Sequence, residues 1–421
     1  MVSVYAIGWA GASRRLNPHG AIGTRTRRRC YVLAMGEPAG GISGVVPAAL
    51  RVGRSPAAVV LALVRSAGPV TRDRLALHSD LSTATVNRQV HALAGAELIV
   101  ERPDLVDGGG IGRPKVPLTL NHEGLAVAAM HIGARRTLLA IADLAGRTLH
   151  SHAVLTPDGD PVEVIGILAD ALAELISRFS GRRFLWAGVA VGGDVDETTG
   201  AVDHPVLGWR GAPVGAMVNQ ALGLPVSVCE HVQAMAAAEL VLAPPVGGAV
   251  PGRSSIYWYA RETVGMALTV DGHVQVPRTG AGTVAHVPVR APLFGPSGIG
   301  PSGIGTVGLQ QVIGTSALRG AMRRSGSAAE SSLVEERARA LGEAIATIAD
   351  VLNPDTVIVA GDAFANHPRG LAPVQAAFDA ARHLPHRLEL TPTRFGLGVQ
   401  EAAAVVVALS VIYADPIGSV G

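Results

Sequence analysis

Hydroxyl, amide and guanidinium side chains follow one another in the segment STATVNR, which begins at Ser82. Side chains of these types can bond phosphates and base edges when they project from the first turns of a helix into a DNA major groove. The candidates for DNA contact in this segment are Ser82, Thr83, Thr85, Asn87 and Arg88. The chemistry that the segment offers is therefore recognition of double-stranded DNA.

The pattern around this segment predicts the elements that would position it. Apolar residues recur at helical spacing, as at Val86 and Val90. Thr71 and Ser82 stand where helix N-caps are preferred, and the short polar turn HSDL lies between the two helices that they would begin. We therefore predict a helix-turn-helix whose second, recognition helix covers about residues 82–94.

A hairpin pattern follows the recognition helix. The segments LIVER and VPLTL alternate like strands, and the Gly-rich stretch between them ends in GRPK. This pattern predicts a wing at about residues 98–120 and a winged helix over 51–121, with Arg113 and Lys115 available to phosphates or a minor groove. The alternative is a small helical hairpin that only packs against the body, because helix-turn-helix patterns also arise by chance.

Composition limits the possible classes of protein. The chain has 421 residues, of which 48% are hydrophobic and 16% charged, so we expect a soluble protein of two or three domains. Its net charge is only +2, so DNA contact would depend on a local basic face. No uninterrupted apolar run reaches the roughly 18 residues that a membrane span requires, and we expect no membrane partner. Cys30 and Cys229 are too far apart for a disulfide framework, which favours a reducing cytoplasm.

Residues 1–50 differ from the rest in composition. Basic residues such as Arg14 and Arg27 occur there with no acidic residue before Glu37, among many Gly, Ala and Ser residues. We predict a disordered segment, and no signal peptide. Three interpretations remain open: a basic arm that adds DNA affinity, a segment without a role, and a true start at Met35.

Residues 122–421 read as an α/β body. Apolar strand patterns such as 126–132 and 138–142 are followed by alternating helices and strands, and this order occurs twice. The pattern predicts the duplicated halves of an actin-like (ribonuclease H-like) ATPase and sugar-kinase fold, at about 122–235 and 236–421.

Four motifs in order carry a specific resemblance. They are GRPKVPLTLN, HIGARRTLLAIADLAGRTL, GVAVGGDVDETTGAV and HPVLGWRGAPVGAMVNQALGLPVSVCEHVQAMAAAEL. Over about residues 55–415 the chain resembles the ROK family, which groups sugar kinases with winged-helix repressors. The winged-helix pattern places the resemblance in the repressor branch.

The sequence departs from the kinases of that family at positions that the resemblance makes catalytic. Their first phosphate-binding hairpin opens with Asp, where this chain has His131. Their catalytic base is the last residue of Glu-Asn-Asp, which is here Glu230-His231-Val232, and valine accepts no proton. Their second Gly-rich turn is replaced by residues with side chains at 260–265. The resemblance therefore implies a pseudo-kinase that is not an enzyme and uses no cofactor.

The sugar site that the resemblance implies is also altered. By the resemblance, altered family contacts to sugar hydroxyls map to Val206, His231, Val232, Thr283 and, less securely, Gln310, and only Glu230 and His286 match the family residue. The weak candidates that remain for an effector site are Glu230, His231, His286 and Gln310. A structural role for His286 is about as plausible as a ligand contact.

We expect no metal. ROK repressors commonly hold zinc with a Cys-rich segment and the histidine that corresponds to His286. That segment here is GPSGIGPSGIGTVGL and contains no thiol. One histidine cannot hold a structural zinc ion, which needs four ligands.

Together these observations predict a cytoplasmic, DNA-binding regulator of ROK type. We expect it to bind a two-fold operator as a homodimer or tetramer, and control by a sugar-like or other small-molecule effector is left open. One alternative is an active ATP-dependent sugar kinase with an appended winged helix. Another is a protein-interaction scaffold whose winged helix does not bind DNA.

Overall fold

The computed structural model describes residues 43–106, 115–242, 253–277, 283–294, 306–325, 329–365 and 369–420. All of them belong to one compact unit, Gly40–Gly421. Within it, an N-terminal helical unit precedes two halves that are each built on a five-stranded sheet.

The N-terminal helical unit contains three helices and a two-stranded antiparallel sheet. Its elements are α1 Pro56–Ala67, α2 Arg72–His78, α3 Thr83–Gly95, β1 Ile99–Glu101 and β2 Leu118–Leu120. Both predicted helices and both predicted strands are present, and α1 is an addition. The apolar positions of α3 are buried against this unit's core, while its N-cap, Ser82, accepts a hydrogen bond from Thr85 N.

The first half is organised on a mixed sheet of order β10-β6-β3-β4-β5. Its strands are β3 Leu125–Ile132, β4 Arg136–Ala142, β5 Thr148–Leu155, β6 Arg183–Val191 and β10 Val226–Glu230. Helices α4 Pro161–Ser177 and α5 Val214–Leu222 and the small sheet of β7 Asp194–Asp196, β8 Ala201–His204 and β9 Trp209–Ala212 complete it. Strand β3 pairs antiparallel with β4 and parallel with β6.

The second half repeats this topology. Its sheet has the order β13-β12-β11-β16-β17, and β11 pairs antiparallel with β12 and parallel with β16, as β3 does with β4 and β6. The strands of the half are β11 Ser254–Ala260, β12 Val264–Val270, β13 His273–Val274, β14 Pro288–Arg290, β15 Thr306–Gly308, β16 Thr356–Ala360 and β17 Leu390–Pro392. The duplication inferred from the sequence therefore has a direct counterpart in strand order.

The remaining helices cover one of the two sheets or join the halves. They are α6 His231–Val241, α7 Gln310–Ile313, α8 Thr315–Ser325, α9 Glu330–Leu352, α10 Asp362–Ala365, α11 Ala372–Ala381 and α12 Val399–Ala414. The predicted division between the halves at residues 235 and 236 falls inside α6, so a helix and not a linker stands there. Helix α6 contacts α12, β10 and β12, which come from both halves.

Helix α12 lies at the centre of the body. The segment Gly396–Ala414 is long and apolar enough to cross a membrane by length and composition, but 72% of its most apolar window is buried inside the protein. It packs so closely on β6 that a Cβ on Gly188 would lie 2.2 Å from Ala408 N, so only glycine fits there. Such burial is what a core helix of a folded domain requires.

Residues 43–50 correct one prediction. We predicted disorder for residues 1–50, but Val45 pairs with Val226 of the edge strand β10, and Val46 N donates to Val226 O at 2.8 Å. Leu50 is buried. The open edge of β10 offers backbone hydrogen bonds that composition does not reveal. Residues 1–42, with Met35, lie outside the described residues.

Candidate nucleic-acid interface and the junction between the halves

Helix α3 presents one polar face to solvent. Thr83, Asn87 and Arg88 are exposed, whereas Val86 and Val90 on the other side are buried. The segregation follows from helical periodicity, because the apolar side must pack against the rest of the unit. Asn87 and Arg88 thus share one accessible face, and Thr83 is exposed in the first turn of the helix.

The other two predicted contacts on α3 serve the helix itself. The Ser82 hydroxyl caps the helix by accepting from Thr85 N at 3.2 Å, and it lies 2.9 Å from the Thr85 hydroxyl oxygen. Ser82 is exposed and Thr85 is half-buried. These two hydroxyls fix where α3 begins, which positions the exposed side chains that follow.

The hairpin is tied to α2 by ion pairs. Lys115 Nζ lies 2.6 Å from Asp73 Oδ2, and Arg72 pairs with Glu101 of β1 at 2.6 Å. Lys115 is therefore paired within the protein, which the sequence did not predict. The side chains of Lys115 and Asp73 are both well exposed, so water and salt screen the pair. Arg113 lies outside the described residues.

The C-terminal end of α3 is attached to the body. Glu97, just beyond the helix, pairs with Arg183 of β6 at 3.3 Å, and Asn121 Nδ2 donates to Glu97 O at 2.9 Å. The body thus contacts α3 at the end opposite its polar first turns. The N-terminal end of α3 is the end left accessible to a large partner.

At the junction between the halves, three histidines lie together. The rings of His131 and His231 stack with centroids 5.7 Å apart and 6° between their planes. His204 lies across Gly192 from His231: a Cβ on Gly192 would be 3.2 Å from His204 Nε2 and 3.4 Å from His231 Cε1. His131 lies near the carboxyl end of β3 and His231 follows β10, at the carboxyl edge of the first sheet, whereas His204 ends β8 of the small sheet.

Burial keeps the imidazoles neutral. It lowers the pKa of His131 to about 3, with a further contribution from the nearby His231. Burial likewise lowers the pKa of His204 and of His231 to about 4. His131 Nε2 is buried without a hydrogen-bond partner among the described residues. At neutral pH the cluster therefore carries no imidazolium charge.

Glu230 belongs to the same junction. Its Oε2 accepts from Val232 N at 2.8 Å and Gln233 N at 2.9 Å, which caps α6. Burial raises the pKa of this carboxyl to about 7, although its hydrogen bonds act in the opposite direction. Of the described residues, no group of three or more His, Cys, Asp or Glu is arranged to hold a metal ion.

The two halves touch directly where the resemblance places the catalytic groups. Val232 is buried, and a Cβ on Gly265 would lie 2.7 Å from its Cγ2. Arg135 of the β3–β4 turn pairs with Glu262 of the β11–β12 turn at 3.5 Å. The ion pair thus connects the two turns that hold phosphates in the family's kinases, and the apolar contact joins the start of α6 to β12.

Two of the four candidate effector residues, Gln310 and His286, differ in their surroundings from the largely buried pair Glu230 and His231. Gln310 Oε1 accepts from Val264 N at 2.7 Å, and its Nε2 donates to Glu262 O at 2.6 Å. Both ends of this amide hold the β11–β12 turn, which gives Gln310 a structural role in place of the predicted effector contact. His286 is exposed in the turn before β14, whereas Glu230 and His231 are largely buried.

Sequence reasoning missed most of the histidine cluster. His131 was noted only as the loss of an Asp, and nothing in the pattern around His204 indicated that it would meet His231. Tyr259 also belongs to this cluster, because its ring meets His231 edge-on at 5.4 Å. These side chains come from β3, β8, the start of α6 and β11, so only the packing of separate sheets and of the two halves brings them together.

Comparison with known proteins identifies similar chains. The model of the ROK family matches residues 127–304. A transcriptional regulator of Mycobacterium tuberculosis is 44% identical over 404 residues, which cover 89% of this chain and 90% of that protein. The DNA-binding transcriptional repressor Mlc of Escherichia coli is 22% identical over 222 residues, covering 52% of this chain and 53% of Mlc.

Solved structures share the fold. A ROK family transcriptional regulator homologous to Escherichia coli Mlc matches with a TM-score of 0.67 at 21% identity, covering 86% of this chain and 98% of that one. The ROK hexokinase of Thermus thermophilus matches with a TM-score of 0.53 at 23% identity, covering 68% and 98% respectively. The regulator thus matches a larger share of this chain than the hexokinase does.

Proposed function

The chain belongs to the ROK family, and from that premise we propose that it is a DNA-binding transcriptional regulator. In this proposal the N-terminal helical unit is a winged helix-turn-helix, α3 is its recognition helix and β1–β2 form its wing. The observation that carries the proposal is the exposed polar face of α3, with Thr83, Asn87 and Arg88, on a helix whose other end is fastened to the body. The relative at 44% identity is itself named a transcriptional regulator.

We further propose that the body is a pseudo-kinase. In the family's kinases the position of Val232 holds a carboxylate that takes the proton from the sugar hydroxyl, and a valine side chain has no basic atom. Val232 is instead used for packing on Gly265, while Arg135 and Glu262 neutralise each other across the two phosphate-binding turns. The structural match to a hexokinase keeps an active sugar kinase as the second candidate function.

The body would then serve assembly and, where an effector exists, its detection. A two-fold operator requires two winged helices whose spacing is fixed by the oligomer, so we propose a homodimer or tetramer held together by the body. We propose that the protein acts in the cytoplasm on double-stranded operator DNA. Glu230 and His231 remain the candidates for an effector contact, and His286 remains a weak one.

The experiment that tests the function is recovery of bound DNA. The purified full-length protein is incubated with sheared genomic DNA, retained fragments are sequenced, and their affinity is measured by fluorescence anisotropy. We expect a small set of enriched sites with two-fold symmetry. Absence of enrichment over random fragments would contradict the proposal.

Variants identify the surface that binds. Changing Asn87 and Arg88 together to Ala should abolish enrichment. Arg178→Ala, at an exposed position just after α4, is the matched control and should leave enrichment intact. Arg113→Ala should weaken binding to specific and random duplexes alike and lower the salt slope by about one, if it touches phosphate. An unchanged affinity and salt slope would show that the tip of the wing does not contact the DNA.

A further inference from the structure

Helix α3 exposes one more polar side chain that the hydroxyl-rich start of the helix did not indicate. His91 lies one helical turn beyond Asn87 and is exposed. With Ala84 and Arg88 it completes a row of exposed residues at positions i, i+3, i+4 and i+7. Residues at this spacing lie on one face of an α-helix.

This spacing has a known use in DNA recognition. In homeodomains, the residues of the recognition helix that face the major groove stand at the same i, i+3, i+4 and i+7 positions. Such a row follows the floor of the groove when the helix lies along it. Asn87 and Arg88 are the middle pair of this row in α3, and His91 is its last member.

The neighbours of His91 leave room for a close approach to DNA. Ala84 ends in a methyl group, and a Cβ placed on Gly95 would meet nothing within 4 Å. The fastening of the helix to the body begins only at Glu97, which pairs with Arg183. His91 is therefore a long side chain between two small residues, on the accessible side of α3.

We propose that His91 is a specificity-determining residue that contacts the edge of a purine in the major groove. A neutral imidazole has one N–H donor, and purine N7 and guanine O6 are the acceptors that the major groove presents most openly. This inference rests on the proposed function, since it presumes that α3 enters the groove. It extends the reading surface beyond the residues that the sequence pattern indicated.

The test is selection from a pool of random duplexes, done in parallel with the full-length wild type, His91→Ala and Gln89→Ala. Gln89 is half-buried on the side of α3 away from this face, which makes it the matched control. We expect His91→Ala to lose the preference at one or two base pairs of each half-site while the other positions keep theirs. Affinity for the wild-type site should fall about 5- to 50-fold, with the salt slope unchanged, because no phosphate contact is lost. Gln89→Ala should select the wild-type sequence.

Each other outcome has a definite meaning. If the wild type selects no sequence, the proposed function fails. If the wild type selects a site and His91→Ala selects the same site with the same affinity, the function stands and the role of His91 is refuted. If His91→Ala loses affinity equally for all sequences and its salt slope falls, His91 touches phosphate and the proposed base contact is wrong. Thermal unfolding of each variant verifies that it is folded.

Discussion

The guanidinium carbon of Arg65 in α1 lies 4.5 Å from the centroid of the Tyr413 ring in α12. The Tyr413 hydroxyl donates to Leu144 O at 2.6 Å, so the ring is fixed on both sides. At the other end of α12, Gln400 Oε1 accepts from Arg261 Nη1 at 3.4 Å, beside the junction between the halves. One buried helix therefore connects that junction with the N-terminal helical unit.

The contact between Arg65 and Tyr413 predicts that its loss will loosen the attachment of α1 to α12. Tyr413→Leu removes the cation–π interaction, which contributes on the order of 0.5–2 kcal/mol. We expect faster amide hydrogen exchange in α1, while exchange in α11 stays as in the wild type. Tyr413→Phe is the control, because it keeps the ring under Arg65 and removes only the hydroxyl, which bonds Leu144 O and also interacts with Arg65. Equal exchange of α1 in wild type and Tyr413→Leu would show that this contact does not hold the unit.

The ion pair between Lys115 and Asp73 predicts an increase in DNA affinity. Asp73→Asn releases the only lysine of the chain for phosphate contact, so binding to specific and random duplexes should tighten and the salt slope should steepen by up to about one. Asp80→Asn is the matched control. It removes the same charge from the same unit, at an exposed position with φ of 53° that asparagine tolerates, and it releases no lysine. Equal effects of the two variants would mean that only the net charge matters.

The junction predicts that the body has no kinase activity. We expect no ATP-dependent phosphorylation of hexoses or N-acetylated hexosamines in a coupled assay of ADP release. Val232→Asp should not create activity, because the new carboxylate would be buried against Gly265 and should lower the melting temperature. Val232→Ala is the control, because it loses the packing on Gly265 without adding a charge, so the difference between the two melting temperatures reports the buried carboxylate. Turnover by the wild type that disappears when the body is mutated would contradict the pseudo-kinase proposal.

The buried histidines predict a loss of stability in acid. The pKa values of His131, His204 and His231 are lowered to about 3, 4 and 4, so between pH 6.5 and 4.5 the unfolded chain binds more protons and the free energy of unfolding falls as pH decreases. Glu230, with its pKa raised to about 7, is protonated in the folded state near pH 5 and loses most of that proton on unfolding. This release offsets roughly one of the three protons that the histidines take up on unfolding. We expect net uptake of about two protons on unfolding near pH 5, which is at most about 2.7 kcal/mol per pH unit.

The variant His131→Leu tests whether this pH dependence comes from the buried histidines. His131→Leu should reduce the proton uptake by about one, measured from melting temperatures and unfolding enthalpies between pH 4.5 and 7. His152→Leu, on the exposed strand β5, is the control and should leave the slope unchanged. An unaltered slope for His131→Leu would mean that His131 is not buried and neutral in the folded protein.

The altered sugar contacts predict insensitivity to ordinary sugars. Of the altered positions that correspond to the family's sugar contacts, Val232 is packed on Gly265 and Gln310 is engaged by the β11–β12 turn. Each buried hydroxyl left without a partner costs roughly 1–3 kcal/mol, which would move a micromolar dissociation constant to the millimolar range. Hexoses, amino sugars and their phosphates titrated against the operator complex should therefore not release the DNA. Release at tens of micromolar would be contrary to this view of the site.

Local pattern was enough to predict much of the molecule. Helix α3 and the strands β3 and β4 agree with the predicted ranges within a few residues, because amphipathic periodicity and apolar runs depend only on neighbours along the chain. The short strands β7, β8, β9, β13, β14, β15 and β17 were not predicted. Helix α1 was missed. Its segment, PAAVVLALV, is apolar almost throughout, because α1 packs within its own unit and also contacts α12. The alternation of apolar and polar residues that indicates a helix is therefore weak there.

The sequence by itself determined the types of element, the duplication of the body and the polar start of α3, since each depends on residues close together in the chain. Tertiary structure alone decided that Lys115 pairs with Asp73 and that Val232 closes on Gly265. It also decided that His131 stacks on His231. These contacts join strands and helices that are distant in sequence. Their partners are set by strand order and by the packing of the two halves, which no local periodicity encodes.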